Sequence, residues 1–350
     1  MPKPRKRPAK GQSPPSRSTT RHRQVEAGSV YHITRKTNDD FFWLVPSKRV
    51  NSVLLYLLIL KARKYKILIH AFIFLSDHFH LVLTDTLGAL PAFMDEFLSE
   101  SAKAIQAVRG TKRRIWGSRR YSSVQLLDRD AALRAIVYDI LNSLKAGLTE
   151  PKDWPGLTSA RYRFGDTITA VRPDIYFSPN RPESVSMTLV ALPCKYTALA
   201  NTTTTSGSGA QSMREEGKNL VTPELRLAAQ QADDAACEEL IQELVEMGRA
   251  EIHRRLASEG KKLAGVARVL ETRCTRRATH PVRRLNPRFA TTNAVLMALA
   301  IEDMRQFEVD HQAAKLRYIA GKRRTLFPPG TYGYRVLLGV RVARRRRRAA

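Results

Sequence analysis

The 350 residues suffice for a sizeable core and, on length alone, for about two domains or one domain with extensions. With 60 Lys and Arg against 32 Asp and Glu, the formal charge of +28 repels itself unless a polyanion is near, which points to nucleic acid. The longest apolar run, at residues 53–60, is too short to cross a bilayer, and Cys194, Cys237 and Cys274 have no disulfide-framework or zinc-finger spacing. No membrane partner is expected, and the location expected is cytoplasmic and nucleoid-associated.

In chain order, residues 1–24 mix Pro, Ser, Lys and Arg with few large apolar side chains and are expected to be a disordered basic arm. A first strand is predicted from Ser29, an apolar helix over residues 47–65, and a buried strand over 66–75. Ser76-Asp77 has turn chemistry, and residues 78–84 read as the return strand of a hairpin. A helix over 90–108, a basic loop, a strand over 121–127, and a helix capped by Asp128 and running to about Leu148 complete an α+β domain over residues 25–165. Residues 166–235 read as linker-like, residues 236–343 as a mostly helical basic region, and residues 344–350 as an arginine-rich tail.

His78-Phe79-His80 is the sharpest local feature, because alternate residues of a strand project from the same face and two imidazoles can then share a cation. On the helix after Asp128, the stripe of Leu133, Ile136, Val137, Ile140, Leu141, Leu144 and Leu148 is expected to be buried. Arg134, Tyr138, Asn142 and Lys145 lie within roughly 80° of arc beside it, where they can line a groove. Tyr138 and Asn142, four residues apart, would set a phenol and an amide oxygen one turn apart.

The ordered set Tyr31-His-Ile-Thr, Ser76-Asp-His-Phe-His-Leu-Val-Leu and Tyr138-x-x-x-Asn142-x-x-x-Ala146-Gly-Leu resembles the REP-associated tyrosine transposases, single-tyrosine enzymes of the His-hydrophobic-His class. Arg120-Tyr-Ser-Ser before the tyrosine helix and Trp154 after it belong to the same pattern, which covers about residues 25–165. The resemblance implies a ferredoxin-like antiparallel sheet, His78, His80 and Asn142 as ligands of Mg²⁺ or Mn²⁺, and Tyr138 as nucleophile. Where that family often has Asn-Pro-x-Arg-Ala-Gly, this chain has Asn142-Ser-Leu-Lys-Ala-Gly, a departure that bears on loop detail and specificity.

A free tyrosine, with a pKa of about 10, is a weak nucleophile at neutral pH and needs help from a cation and from geometry. The implied reaction is attack on a phosphate of single-stranded or hairpin DNA, giving a 5′-phosphotyrosine and a free 3′-hydroxyl that strand transfer can reverse. Lys112, Arg113, Arg114, Arg119, Arg120, Arg134 and Lys145 are expected on DNA phosphates, and Trp116, Tyr121 and Trp154 are candidates to stack on unpaired bases. A homodimer is a possible assembly. The rival expectations are a non-cleaving, domesticated nucleic-acid-binding protein and a replication-initiator or relaxase-type nickase.

Overall fold

The computed structural model describes residues 24–118, 120–192, 223–279 and 287–343. The expected basic arm through residue 23, Arg119, Cys194 and the arginine tail therefore lie outside the described residues.

Strand β1 (Ser29–Lys36) leads through a short 3-10 turn to helix α1 (Lys48–Tyr65), then to β2 (Ile67–Phe74), β3 (His78–Asp85), helix α2 (Leu90–Arg109) and β4 (Ser122–Leu126). The first four strands lie in the order β2-β3-β1-β4, all antiparallel, which is the ferredoxin-like βαββαβ arrangement. Local chemistry sets the helix ends. The Ser47 hydroxyl accepts from the Val50 N–H, and Asp85, the last residue of β3, accepts from the Ala89 and Leu90 N–H groups at the start of α2.

Alternation divides the sheet into two faces. Tyr31, Ile33, Phe79, Leu81 and Leu83 pack with Leu54, Leu57, Leu58, Phe93 and Phe97 into the large core beneath α1 and α2. Buried Lys61 on α1 is held by Glu96 and Glu100 of α2 at 2.8 and 2.5 Å, so its charge is paired where water is scarce. On the opposite face, Val30, Ala71, Val82 and Leu126 meet Ala132, Leu133, Ala135 and Ile136 of helix α3 (Arg129–Ile140), whose N-terminus is capped by Asp128.

Two departures from the sequence reading bear on the site. The helix expected to run to Leu148 breaks at Leu141, and a separate turn, α4 (Asn142–Lys145), follows. Residues 167–188, read as linker-like, instead form a hairpin of β5 (Thr167–Val171) and β6 (Ser184–Thr188). Its Ile168, Ala170 and Val185 are buried in the main core: every second residue is apolar, which outweighs the surrounding Pro and Ser.

The C-terminal region is largely helical, with α5 (Pro223–Ser258), α6 (Gly265–Leu270), α7 (Ala294–Ile319) and α8 (Gly333–Leu338). The short strand β7 (Phe289–Ala290) extends the sheet by pairing in parallel with β4. Ile241, Val245, Ile252 and Leu256 of α5 pack on Val137, Leu141 and Leu144. Gly248 allows the close approach, since a Cβ there would sit 2.6 Å from Leu141 Cδ1. Glu150 accepts from both Arg249 and His253 at 2.8 Å, tying α5 to the segment that follows α4.

The chain forms two compact units, residues 25–304 holding the sheet and residues 305–343 with Gln24 making the other. In the latter, β8 (Leu326–Phe327) pairs in parallel with β9 (Arg341–Val342), and Phe327 and Val340 are buried with Ala314. His311 is buried there among the rings of Phe307, Phe327 and Tyr334. Among the described residues, no helix is long and apolar enough to cross a membrane.

Candidate active site

Two imidazoles reach the α3 face of the sheet by strand register. Thr34 of β1 pairs with His80 of β3, and His32 pairs with Val82, so His32 and His80 are diagonal neighbours on one face. Their rings stack with centroids 5.2 Å apart. His80 is buried, and its Nδ1 lies 2.9 Å from the Thr34 hydroxyl. His78, two residues earlier, presents its ring edge to His80 at 5.0 Å, and its Nδ1 is 2.8 Å from an Asp77 carboxylate oxygen.

Helix α3 closes the site from above. The Tyr138 ring lies 5.5 Å from that of His80 and 5.9 Å from that of His32, edge-on to both. Lys145 on α4 holds its ammonium 4.6 Å from the centre of the same ring. Asp139, fully buried, accepts from or shares a proton with His32 Nε2 at 2.9 Å through Oδ1, while its Oδ2 has no hydrogen-bond partner among the described residues. Burial raises the Asp139 carboxyl above its ordinary range, opposed by the charge and hydrogen bond of His32 and then by His78.

Among the described residues, His32, His80 and Asp139 each offer one donor atom within 4.8 Å of the others. Ligand bonds near 2.0–2.2 Å put donors on opposite sides of one ion roughly 4.2 Å apart, so small side-chain movements suffice to close the set. The orphaned Asp139 oxygen and the two imidazoles fit a divalent ion, and the nitrogen donors suit Mn²⁺ at least as well as Mg²⁺.

Of the residues singled out from the sequence, Tyr138, His78 and His80 thus come together. Asn142 is buried on α4, and its side-chain nitrogen has no partner among the described residues. Arg134 is exposed on α3, and Lys112, Arg113, Arg114 and Arg120 are exposed around the loop before β4.

Trp116, expected as a base-stacking residue, is corrected by its surroundings. It is buried against Phe79 at 5.4 Å, and its indole N–H donates to the Leu98 carbonyl, so both its face and its donor serve the core. Trp154 is likewise enclosed, donating to the Phe74 carbonyl. Tyr121 is half-buried against the main core.

His32 and Asp139 had no role in the sequence reading, although each leaves a trace there. His32 alternates with Val30 and Thr34, which sets it on the face of His78 and His80 once β1 pairs with β3. Asp139 falls on the buried arc that also carries Ile136 and Ser143, where a carboxylate is out of place unless something compensates it.

No protein-family model and no curated protein matches the chain. Among solved structures it is similar to a REP-associated tyrosine transposase bound to a REP hairpin, at 19% identity over 41% of this chain and 84% of that one, with a TM-score of 0.35. It is also similar to a candidate transposase from Deinococcus radiodurans, at 18% identity over 30% of this chain and 85% of that one, with a TM-score of 0.24.

Proposed function

We propose that the chain is a transposase-like, metal-dependent nuclease and strand transferase that attacks single-stranded DNA beside a hairpin through Tyr138. The observation carrying this reading is the meeting of a tyrosine with a His-His-Asp donor set of which His80 and Asp139 are buried, Tyr138 edge-on to His80 and His32 with Asp139 behind them. The sequence pattern that resembles the REP-associated tyrosine transposases supports it independently.

Tyr138 Oη forms a bond to phosphorus as the bond to the 3′ oxygen breaks, leaving a 5′-phosphotyrosine and a 3′-hydroxyl. The phenolic proton leaves with the attack, and a 3′-hydroxyl on the same or another strand reverses the step to join ends. The Lys145 ammonium beside the ring favours the arrival of an anionic phosphate. The buried Asp139 carboxylate, bonded to the partly exposed His32, orients the imidazole beside Tyr138. A divalent ion held by His80 with His32 and Asp139, or by His80 with His78 and Asn142, would polarise the phosphate and neutralise its growing charge.

The test is incubation of the full chain with labelled single-stranded hairpin DNA from the gene's flanks, with Mg²⁺ or Mn²⁺, followed by denaturing electrophoresis. A metal-dependent protein-DNA adduct is expected, lost by at least about 10⁴-fold in Tyr138→Phe, since removing a nucleophile forfeits the step it performs. An adduct that survives this substitution overturns the assignment of Tyr138. Salt-sensitive binding without any adduct in either metal favours the non-cleaving nucleic-acid-binding reading.

A further inference from the structure

A second site lies at the end of the sheet where β1 leaves it. The segment after α6 docks there: the Phe42 N–H donates to the Arg276 carbonyl at 3.0 Å, the Ala278 N–H donates to the Asp40 carbonyl at 2.9 Å, and Phe41 and Arg277 form a β-bridge. Cys274 of the same segment packs on the main core. The Arg277 guanidinium lies 4.5 Å from the centre of the Phe41 ring, and that of Arg113 lies 5.8 Å from it.

Between them is a cavity of about 270 Å³ whose lining includes Phe41, Trp43, Arg113, Arg114 and Arg277 against the single carboxylate of Asp39. Asp39 is engaged by the Asn38 amide at 2.7 Å. The indole N–H of Trp43 is buried and meets no acceptor among the described residues. Arg35 adds to the positive crowding, since burial and then Arg114 hold its guanidinium below the ordinary range. Three guanidiniums, an aromatic ring and an orphaned donor make a site for an anion that also has a flat, acceptor-bearing part. The volume is below the roughly 300–1,000 Å³ of drug-sized ligand pockets, small enough for one nucleotide and too small for a duplex.

The cavity is connected to the tyrosine site through backbone. Lys36 pairs with His78, the Thr37 N–H donates to the Asp77 carbonyl at 2.7 Å, and Asp77 holds His78. Phe41 is five residues beyond Lys36, so chain length alone keeps it within about 18 Å of that rung.

We propose that this pocket binds one nucleotide of the single-stranded DNA whose cleavage is assigned above to Tyr138, with the phosphate on Arg113, Arg114 and Arg277 and the base on the guanidinium plane that Phe41 backs. In naming the strand it rests on that reading; the pocket itself does not require cleavage. It also gives the C-terminal extension a part in choosing substrate, since Arg277 comes from it.

The test measures fluorescence anisotropy of a fluorescein-labelled oligothymidylate on the full chain across a salt series. Arg277→Ala is expected to weaken binding about tenfold and to reduce the slope of log K against log salt by about 0.7, the value for one phosphate contact on a single strand. Arg277→Lys is expected to keep the slope while losing part of the affinity, because the point charge stays and the stacking plane goes. Arg254→Ala, on an exposed α5 residue paired with Glu251, serves as the control and is expected to bind unchanged. The anisotropy reading needs no cleavage and the adduct assay reports cleavage alone, so loss of cleavage and loss of the pocket read out separately. Binding within about twofold of the parent, with the same salt slope, for both Arg277→Ala and Arg113→Ala overturns the proposal. So does polyglutamate competing as well as unlabelled oligothymidylate, which would make the pocket a general site for acidic polymers.

Discussion

On the face beneath α1 and α2, Tyr31, Ile33, Phe79, Leu81 and Leu83 are buried among aliphatic and aromatic side chains. On the other face of the same strands, His32, His80 and Thr84 share the space under α3 with a buried carboxylate, one oxygen of which meets no donor among the described residues. Alternate residues of one backbone therefore carry two different loads. The first face gains free energy by removing apolar area from water, and the second gives part of it up to hold polar groups in fixed positions. His-hydrophobic-His is that division in three residues: Phe79 anchors the strand from beneath while His78 and His80 face the tyrosine helix.

The comparison can be broken first on the apolar face. Phe79→Ala is expected to cost about 3–5 kcal/mol, because a fully buried ring packed on Phe74, Phe97 and Trp116 leaves a cavity. Urea unfolding checks this, and a loss below about 1 kcal/mol would mean the core under α1 and α2 closes around the gap.

A smaller effect, with a pH signature, is expected on the polar face at His70. This fully buried imidazole occupies the β2 bulge, bonded to the Val190 carbonyl and the Thr84 hydroxyl at 2.7 Å, and burial lowers its pKa to about 4. The unfolded chain takes up a proton near pH 6.5 and the folded chain only near pH 4, so its contribution is present above pH 6.5 and is lost as pH falls toward 4. The loss is on the order of 3 kcal/mol, visible as a fall in urea midpoint that His70→Leu removes whatever its own offset. A midpoint with the same pH slope in both proteins would contradict this account.

Asp139 separates the two candidate ligand sets. Mn²⁺ at about a hundred times its Kd is expected to raise the unfolding free energy by about 2.7 kcal/mol, and Asp139→Asn is expected to abolish the increment. Should Asn142→Ala abolish it instead, with Asp139→Asn leaving it intact, the ion belongs to His78, His80 and Asn142. The smallest effect on stability is expected at Lys145, exposed over the Tyr138 ring, where Lys145→Met should cost about 0.5 kcal/mol and also lower the adduct yield. Equal yields at matched DNA concentration would remove Lys145 from the phosphate-binding role.

Periodicity and end chemistry, read from the sequence alone, determined the ferredoxin-like domain's elements, because Asp128 caps its helix locally and the alternation in residues 78–84 needs no distant partner to be seen. They also determined that His78 and His80 share a face and that Tyr138 lies beside the buried stripe. Only tertiary structure decided that His32 joins them, since that depends on β1 pairing with β3 in one register, and that Asp139 rather than a surface residue lies behind the tyrosine. It likewise enclosed Trp116 and Trp154, whose exposure depends on what packs over them, and brought Arg277 to Phe41 across more than two hundred residues of chain. Local propensity is written in neighbouring residues, whereas a site assembled from β1, β3 and α3 exists only once strand pairing and helix docking have brought distant segments together.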